Sequence, residues 1–119
     1  MKLADITAAA IKGNPNLELE VEGTDEPIVF RNLVMVSEEE RQKFRGVDKE
    51  VDKISKAKGD ASAVRRMADS AKYLLGLVVK DKAHLELLEE KFNETPDLRD
   101  AQWIAVLNAY HEETQVGEA

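Results

Sequence analysis

From Ser37 to Tyr110, apolar residues return every three or four positions in four successive stretches. That spacing commits most of the chain to amphipathic α-helix. The first stretch opens with Ser37 and Glu40, spaced as a capping box in which each side chain serves the other residue's backbone N–H. Glu38 and Glu39 add negative charge where the helix dipole favours it. Phe44, Val47, Val51 and Ile54 then form one narrow stripe among charged residues. Gly59-Asp60 ends this helix. The next is expected over 61–80, where Val64, Met67, Ala68, Ala71, Leu74, Leu75 and Val78 make the broad face of a central helix. Asp81 is placed to cap a third helix bearing Leu85, Leu88 and Phe92. Thr95 and Pro96 stand where an N-cap and first helical residue are expected. The last helix carries Trp103, Val106, Leu107 and Tyr110 on one face, with Ile104 at its edge.

The first 36 residues read differently. Leu3, Ile6 and Ile11 fit one short apolar helical face, and Gly13-Asn14-Pro15-Asn16 reads as a turn. Leu17, Leu19 and Val21 alternate with Glu18, Glu20 and Glu22, the period of a half-buried strand. Gly23 to Pro27 is turn-like, and Ile28 to Val36 is the expected partner strand of a hairpin. A hairpin alone is marginal in water, so it needs a helical cover. The expected fold is therefore mainly α: a small helical domain of about four helices with a short N-terminal β-hairpin. A chain of 119 residues supports one sizeable core. The expected organisation is a single domain over 1–119, with a β-like segment at 1–36, a helical region at 37–111 and a flexible polar tail at 112–119.

Several classes of function are disfavoured by composition. No run of about 18 apolar residues is present, so no membrane partner is expected. The N-terminus makes a poor signal peptide. The absence of cysteine removes disulfides, thiolate metal sites and thiol nucleophiles. The net charge is −7, concentrated after Asp81, and repels a polyanion. Arg65, Arg66, Lys72 and Lys80 give the central helix a basic side. The rival reading they support is a small DNA-binding regulator, but the helix after Asp81 turns acidic where a recognition helix needs donors. His111-Glu112 lacks the second histidine of a zinc-protease helix, since Gln115 stands at that position. Asp81 and His84, with Glu86, Glu89 and Glu90, read as a hydrated face rather than half of a di-iron site. No serine sits in a nucleophile elbow. An enzyme is not expected, and no catalytic, metal or cofactor site is assigned.

The plain reading of the apolar stripes is core. Yet the chain holds more amphipathic helix than its β element can cover. Trp103, Val106, Leu107 and Tyr110, and with them Phe44, Val47, Val51 and Ile54, are therefore candidate protein-binding residues, forming an exposed groove or an oligomer face. A structural connector made of several copies is a further alternative.

Specific segments carry a family resemblance. They are the β-like Pro27-Ile28-Val29-Phe30, the Ala-, Leu- and Val-rich helix followed by Lys80-Asp81-Lys82-Ala83, the short Leu-rich helix, and the last helix around Trp103 to Tyr110. The chain then closes on Glu113-Thr114-Gln115-Val116-Gly117-Glu118-Ala119. In this layout it resembles the tail assembly chaperones of long-tailed, siphovirus-type phages of actinobacteria. The closing run is similar to the point where such proteins are extended by a programmed ribosomal frameshift. The resemblance implies a non-enzymatic chaperone of the host cytoplasm, absent from the mature virion. It implies that the chain keeps the long helical tape measure protein soluble, and that a longer frameshifted form recruits the tail tube protein. Homo-oligomers are compatible with this reading.

Overall fold

Capping side chains mark helix starts at Ser37 and Asp81. The computed structural model describes residues 1–56 and 61–114. They form α1 (Leu3–Gly13), β1 (Leu17–Leu19), β2 (Ile28–Phe30), a 3₁₀ turn (Leu33–Met35), α2 (Glu38–Lys56), α3 (Ala61–Val78), α4 (Lys82–Asn93) and α5 (Pro96–Thr114). The Ser37 hydroxyl accepts from the Glu40 N–H at 3.2 Å and faces the Glu40 carboxylate at 3.0 Å. The box thus closes side chain to side chain, where the expected return bond ran to the Ser37 N–H. Asp81 caps α4 by accepting from the Ala83 N–H at 3.0 Å. Ser37→Ala removes an acceptor from the first turn of α2 and should cost about 1 kcal/mol, read as a lower urea midpoint at unchanged slope.

The hairpin is antiparallel, with Leu17 opposite Phe30 and Leu19 opposite Ile28. The strand expected over Ile28 to Val36 stops at Phe30, because Asn32 diverts the chain. Its carboxamide oxygen accepts from the Val34 N–H at 3.2 Å and starts the 3₁₀ turn. The expected β-like segment at 1–36 is therefore a helix, two short strands and a 3₁₀ turn. Gly23 turns the hairpin at φ 88°, a left-handed backbone that suits glycine.

The central helix ends two residues earlier than its periodicity suggests. Val79 pairs with Phe30 as a β-bridge. The Lys80 N–H donates to the Val29 carbonyl at 2.8 Å, and the Arg31 N–H to the Val78 carbonyl at 2.9 Å. The segment leaving α3 thereby satisfies the open edge of β2 and ties the hairpin to that helix.

One core joins these layers. Leu17, Ile28 and Phe30 of the hairpin meet Ala68, Ala71, Leu74, Leu75 and Val78 of α3, with Phe44 of α2 and Leu88 of α4. Trp103, Val106, Leu107 and Tyr110 of α5 complete it. The alanines at 68 and 71 are fully buried, and their small side chains let neighbouring backbones approach. Val64, expected on the same face, sits near the start of α3 and is exposed. Asn32 locks the far end: its Nδ2 donates to the carbonyls of Pro15 and Thr114 at 3.0 and 3.2 Å. Glu112, Glu113 and Thr114 consequently continue α5, where a flexible tail was expected from 112. Residues 115–119 of that expected tail lie outside the described residues.

Candidate functional site

The α5 stripe expected to form a binding face lies in the core. Trp103 and Tyr110 are 0% and 1% exposed, and Val106 and Leu107 are 8% and 4%. The reason is packing: α5 is covered by α3, by α4 and by β1, so its apolar face is already taken. Trp103 meets the Phe92 ring edge-on at 5.0 Å. Tyr110 packs 5.6 Å from Phe44 and donates its hydroxyl to the Arg31 carbonyl at 2.7 Å. Burial raises the Tyr110 pKa and keeps the phenol protonated, with the Arg31 charge opposing.

Polar side chains fasten the other end of this face. The Trp103 indole N–H donates to Glu89 Oε2 at 2.6 Å. Arg99 is buried and holds Glu89 Oε1 at 3.1 Å, Asp69 Oδ1 at 3.0 Å and Asp100 Oδ1 at 2.9 Å. Burial opposes ionisation of Glu89, but hydrogen bonds from Trp103 and Arg99, with the charges of Arg99 and Lys72, outweigh it and lower its pKa. For Arg99 burial acts against the charge, yet bonds to Asp100, Asp69 and Glu89 raise its pKa and keep it a cation. The spacing of α5 did not reveal this network, because its members come from three helices. The only local sign was an arginine interrupting the acidic run after Asp81.

On α2 the expected stripe divides. Phe44 is core at 1% exposure, while Val47, Val51 and Ile54 are half-buried. Beside them runs an open groove of about 760 Å³. Its floor is Val51 of α2, Met67 of α3, and Ile104 and Leu107 of α5. Its rim carries Asp48, Asp52, Lys49 and Lys53 on α2, with Asn108 and His111 on α5. His111 Nε2 stands 3.0 Å from Asp48 Oδ1 and ties the two walls together at one end. The structure thus brings Val51 and Leu107, one from each expected stripe, to one surface. Met67, Ile104, Asn108 and His111 were not among the expected binding residues, since a groove between three helices has no signature in any one of them.

Two basic residues of α3, Arg65 and Lys72, face carboxylates. Arg65 pairs with Asp100 at 3.0 Å and Lys72 lies 3.7 Å from Glu89. His84 lies 3.8 Å from Asp81. Among the described residues, no three His, Cys, Asp or Glu side chains are grouped to hold a metal, and no helix is long and apolar enough to cross a membrane.

The fold and site together define a small helical body with an apolar-floored, charge-rimmed groove. Residues 2–119 match the family described as mycobacteriophage tail assembly protein, and the chain belongs to that family. Its role lies in phage tail assembly. No curated protein and no solved structure matches the chain.

Proposed function

We propose that this chain is a tail assembly chaperone that binds the tape measure protein and keeps it soluble while the tail forms. Its action is by binding, without catalysis, in the host cytoplasm, and it leaves before the virion matures. The observation that carries this reading is the groove between α2 and α5. Its floor is apolar and its rim alternates in charge. An amphipathic client helix places apolar residues at i, i+3, i+4 and i+7 on such a floor and keeps its polar side in water. The net charge of −7 keeps the loaded complex dispersed. A single groove of this size holds only two or three turns, so affinity per site is modest. Many copies along one long client gain through avidity and still release in turn. In the same reading, a longer frameshifted form recruits the tail tube protein.

Co-expression tests this. The tape measure protein of the same phage is expected in the soluble fraction with the wild-type chain and in the pellet without it. Met67→Glu places a charge on the groove floor and should abolish the rescue, while the variant's own melting curve shows that it is folded. Equal solubility of the tape measure protein with and without the chain overturns the reading and favours a structural connector.

A further inference from the structure

The two edges of the hairpin end differently. On β2 the Lys80 N–H reaches the Val29 carbonyl and the Arg31 N–H reaches the Val78 carbonyl. The backbone groups of Val29 therefore point away from β1, and those of Ile28 and Phe30 point toward it, by the alternation of an antiparallel ladder. Glu18 stands opposite Val29, between the pairs Leu17–Phe30 and Leu19–Ile28. Its N–H and C=O point outward in turn, along the free edge of β1. Among the described residues no group bonds to either of them. Helix α1, just before β1 in the chain, buries none of its residues, and Glu18 beside it is exposed.

Charge decides what such an edge can accept. Leu17 is core and Leu19 packs against it, so the opposite face of β1 turns Glu18 and Glu20 to solvent. Glu22, Asp25 and Glu26 follow in the turn and are exposed as well. Among the described residues, none of these five carboxylates has an ion-pair or hydrogen-bond partner. Just beyond β1, Glu20, Glu22, Asp25 and Glu26 line an open cleft of about 410 Å³ with Val21 and Pro27. A second copy's β1 on this edge would set glutamate against glutamate, which is destabilising in a cross-strand pair. The edge is thereby guarded against self-pairing. A strand with lysine or arginine at every second residue meets the opposite situation.

We propose that the free edge of β1 docks an extended, basic segment of a partner protein by strand addition. The Glu18 N–H and C=O hold the segment by backbone bonds. Its cationic side chains lie opposite Glu18 and Glu20, a favourable cross-strand pairing. One more of them lays its aliphatic stem on Val21 and Pro27 and its charge among the carboxylates of the cleft. The edge is short and offers few backbone bonds, so the complex is weak and exchanges readily. None of these residues lines the α2–α5 groove, so the proposal stands apart from the client reading above.

A peptide probe on the full chain tests this. The probe is acetyl-Thr-Lys-Val-Lys-Val-Lys-Thr-amide, at about 0.15 M salt so that distant charges are screened. Saturable binding is expected, and NMR hydrogen exchange of the Glu18 N–H should slow by several-fold as the probe is added. A second probe carries methyl groups on the backbone nitrogens of its lysines, which keeps every charge and removes the donors that face β1. It should bind roughly tenfold more weakly, the loss expected for one or two hydrogen bonds. The double variant Glu20→Gln, Glu22→Gln should also bind the first probe more weakly. Its melting midpoint should be unchanged, because both side chains are exposed. Equal binding of the methylated probe overturns the proposal, since it means charge attraction without strand pairing. Absence of binding, or a Glu18 N–H that exchanges as fast with the probe as without it, overturns it too. The carboxylates would then only guard the edge.

Discussion

Trp103→Ala is expected to cost about 3–5 kcal/mol, the range for truncating a buried aromatic side chain. That is a large share of the 5–15 kcal/mol typical of a domain. Two losses combine. The indole is fully buried and packs against Phe92, so its removal leaves a void that α3 and α4 cannot close without moving. Its N–H also serves Glu89 Oε2, and alanine leaves that oxygen with no donor from α5. Trp103→Phe separates the two, keeping an aromatic ring and losing only the donor, at about 1–3 kcal/mol. Urea unfolding at pH 7 measures both. A Trp103→Ala midpoint within error of the wild type would mean that α5 does not pack as described.

The second large effect is at Arg99. Arg99→Ala should cost about 3 kcal/mol or somewhat more, because it leaves Glu89 half-enclosed without its main cationic partner. Asp69 is 59% exposed on its side chain and returns to water, whereas Glu89 at 18% does not. The loss has a defined pH dependence. For Glu89 and Asp100 burial works against ionisation, and bonds from Trp103 and Arg99 to the first, and from Arg99 and Arg65 to the second, prevail and lower both pKa values. A carboxylate whose pKa is lowered by folding contributes stability that is full above its unfolded pKa, about 4, and is lost as pH falls through the folded value. The wild-type melting midpoint should therefore fall steeply below about pH 4. The Arg99→Ala midpoint should be lower at pH 7 and change less over the same descent. Parallel curves for the two proteins would show that the network contributes nothing to acid stability.

Much of the architecture is readable in the chain. Ser37, Asp81 and Thr95-Pro96 mark three helix starts, and the three- and four-residue spacings mark the faces those helices bury. Each is a local property, set by backbone hydrogen bonding and by the fixed pitch of a helix. The alternation of Leu17, Leu19 and Val21 likewise announces a strand, although β1 ends at Leu19, and Leu3, Ile6 and Ile11 announce the face of α1. The family resemblance built on the segments from Pro27 to the end agrees with the family to which residues 2–119 belong.

Other outcomes depend on which faces meet. A stripe of Trp103, Val106, Leu107 and Tyr110 reads the same whether it is core or docking surface. Only the tertiary structure shows α3, α4 and the hairpin covering it. The bridge at Val79, the lock at Asn32 and the Arg99 network join residues 10 to 82 positions apart, and no periodicity records such distances. The groove and the bare helix α1 arise in the same way, as surface left over once every other face has found a partner. The sequence by itself determined where helices and strands begin and which sides of them are apolar, because those are short-range matters of capping and pitch. Which apolar sides became core and which stayed free was decided by tertiary packing, since burial is a property of pairs of surfaces and not of either one alone.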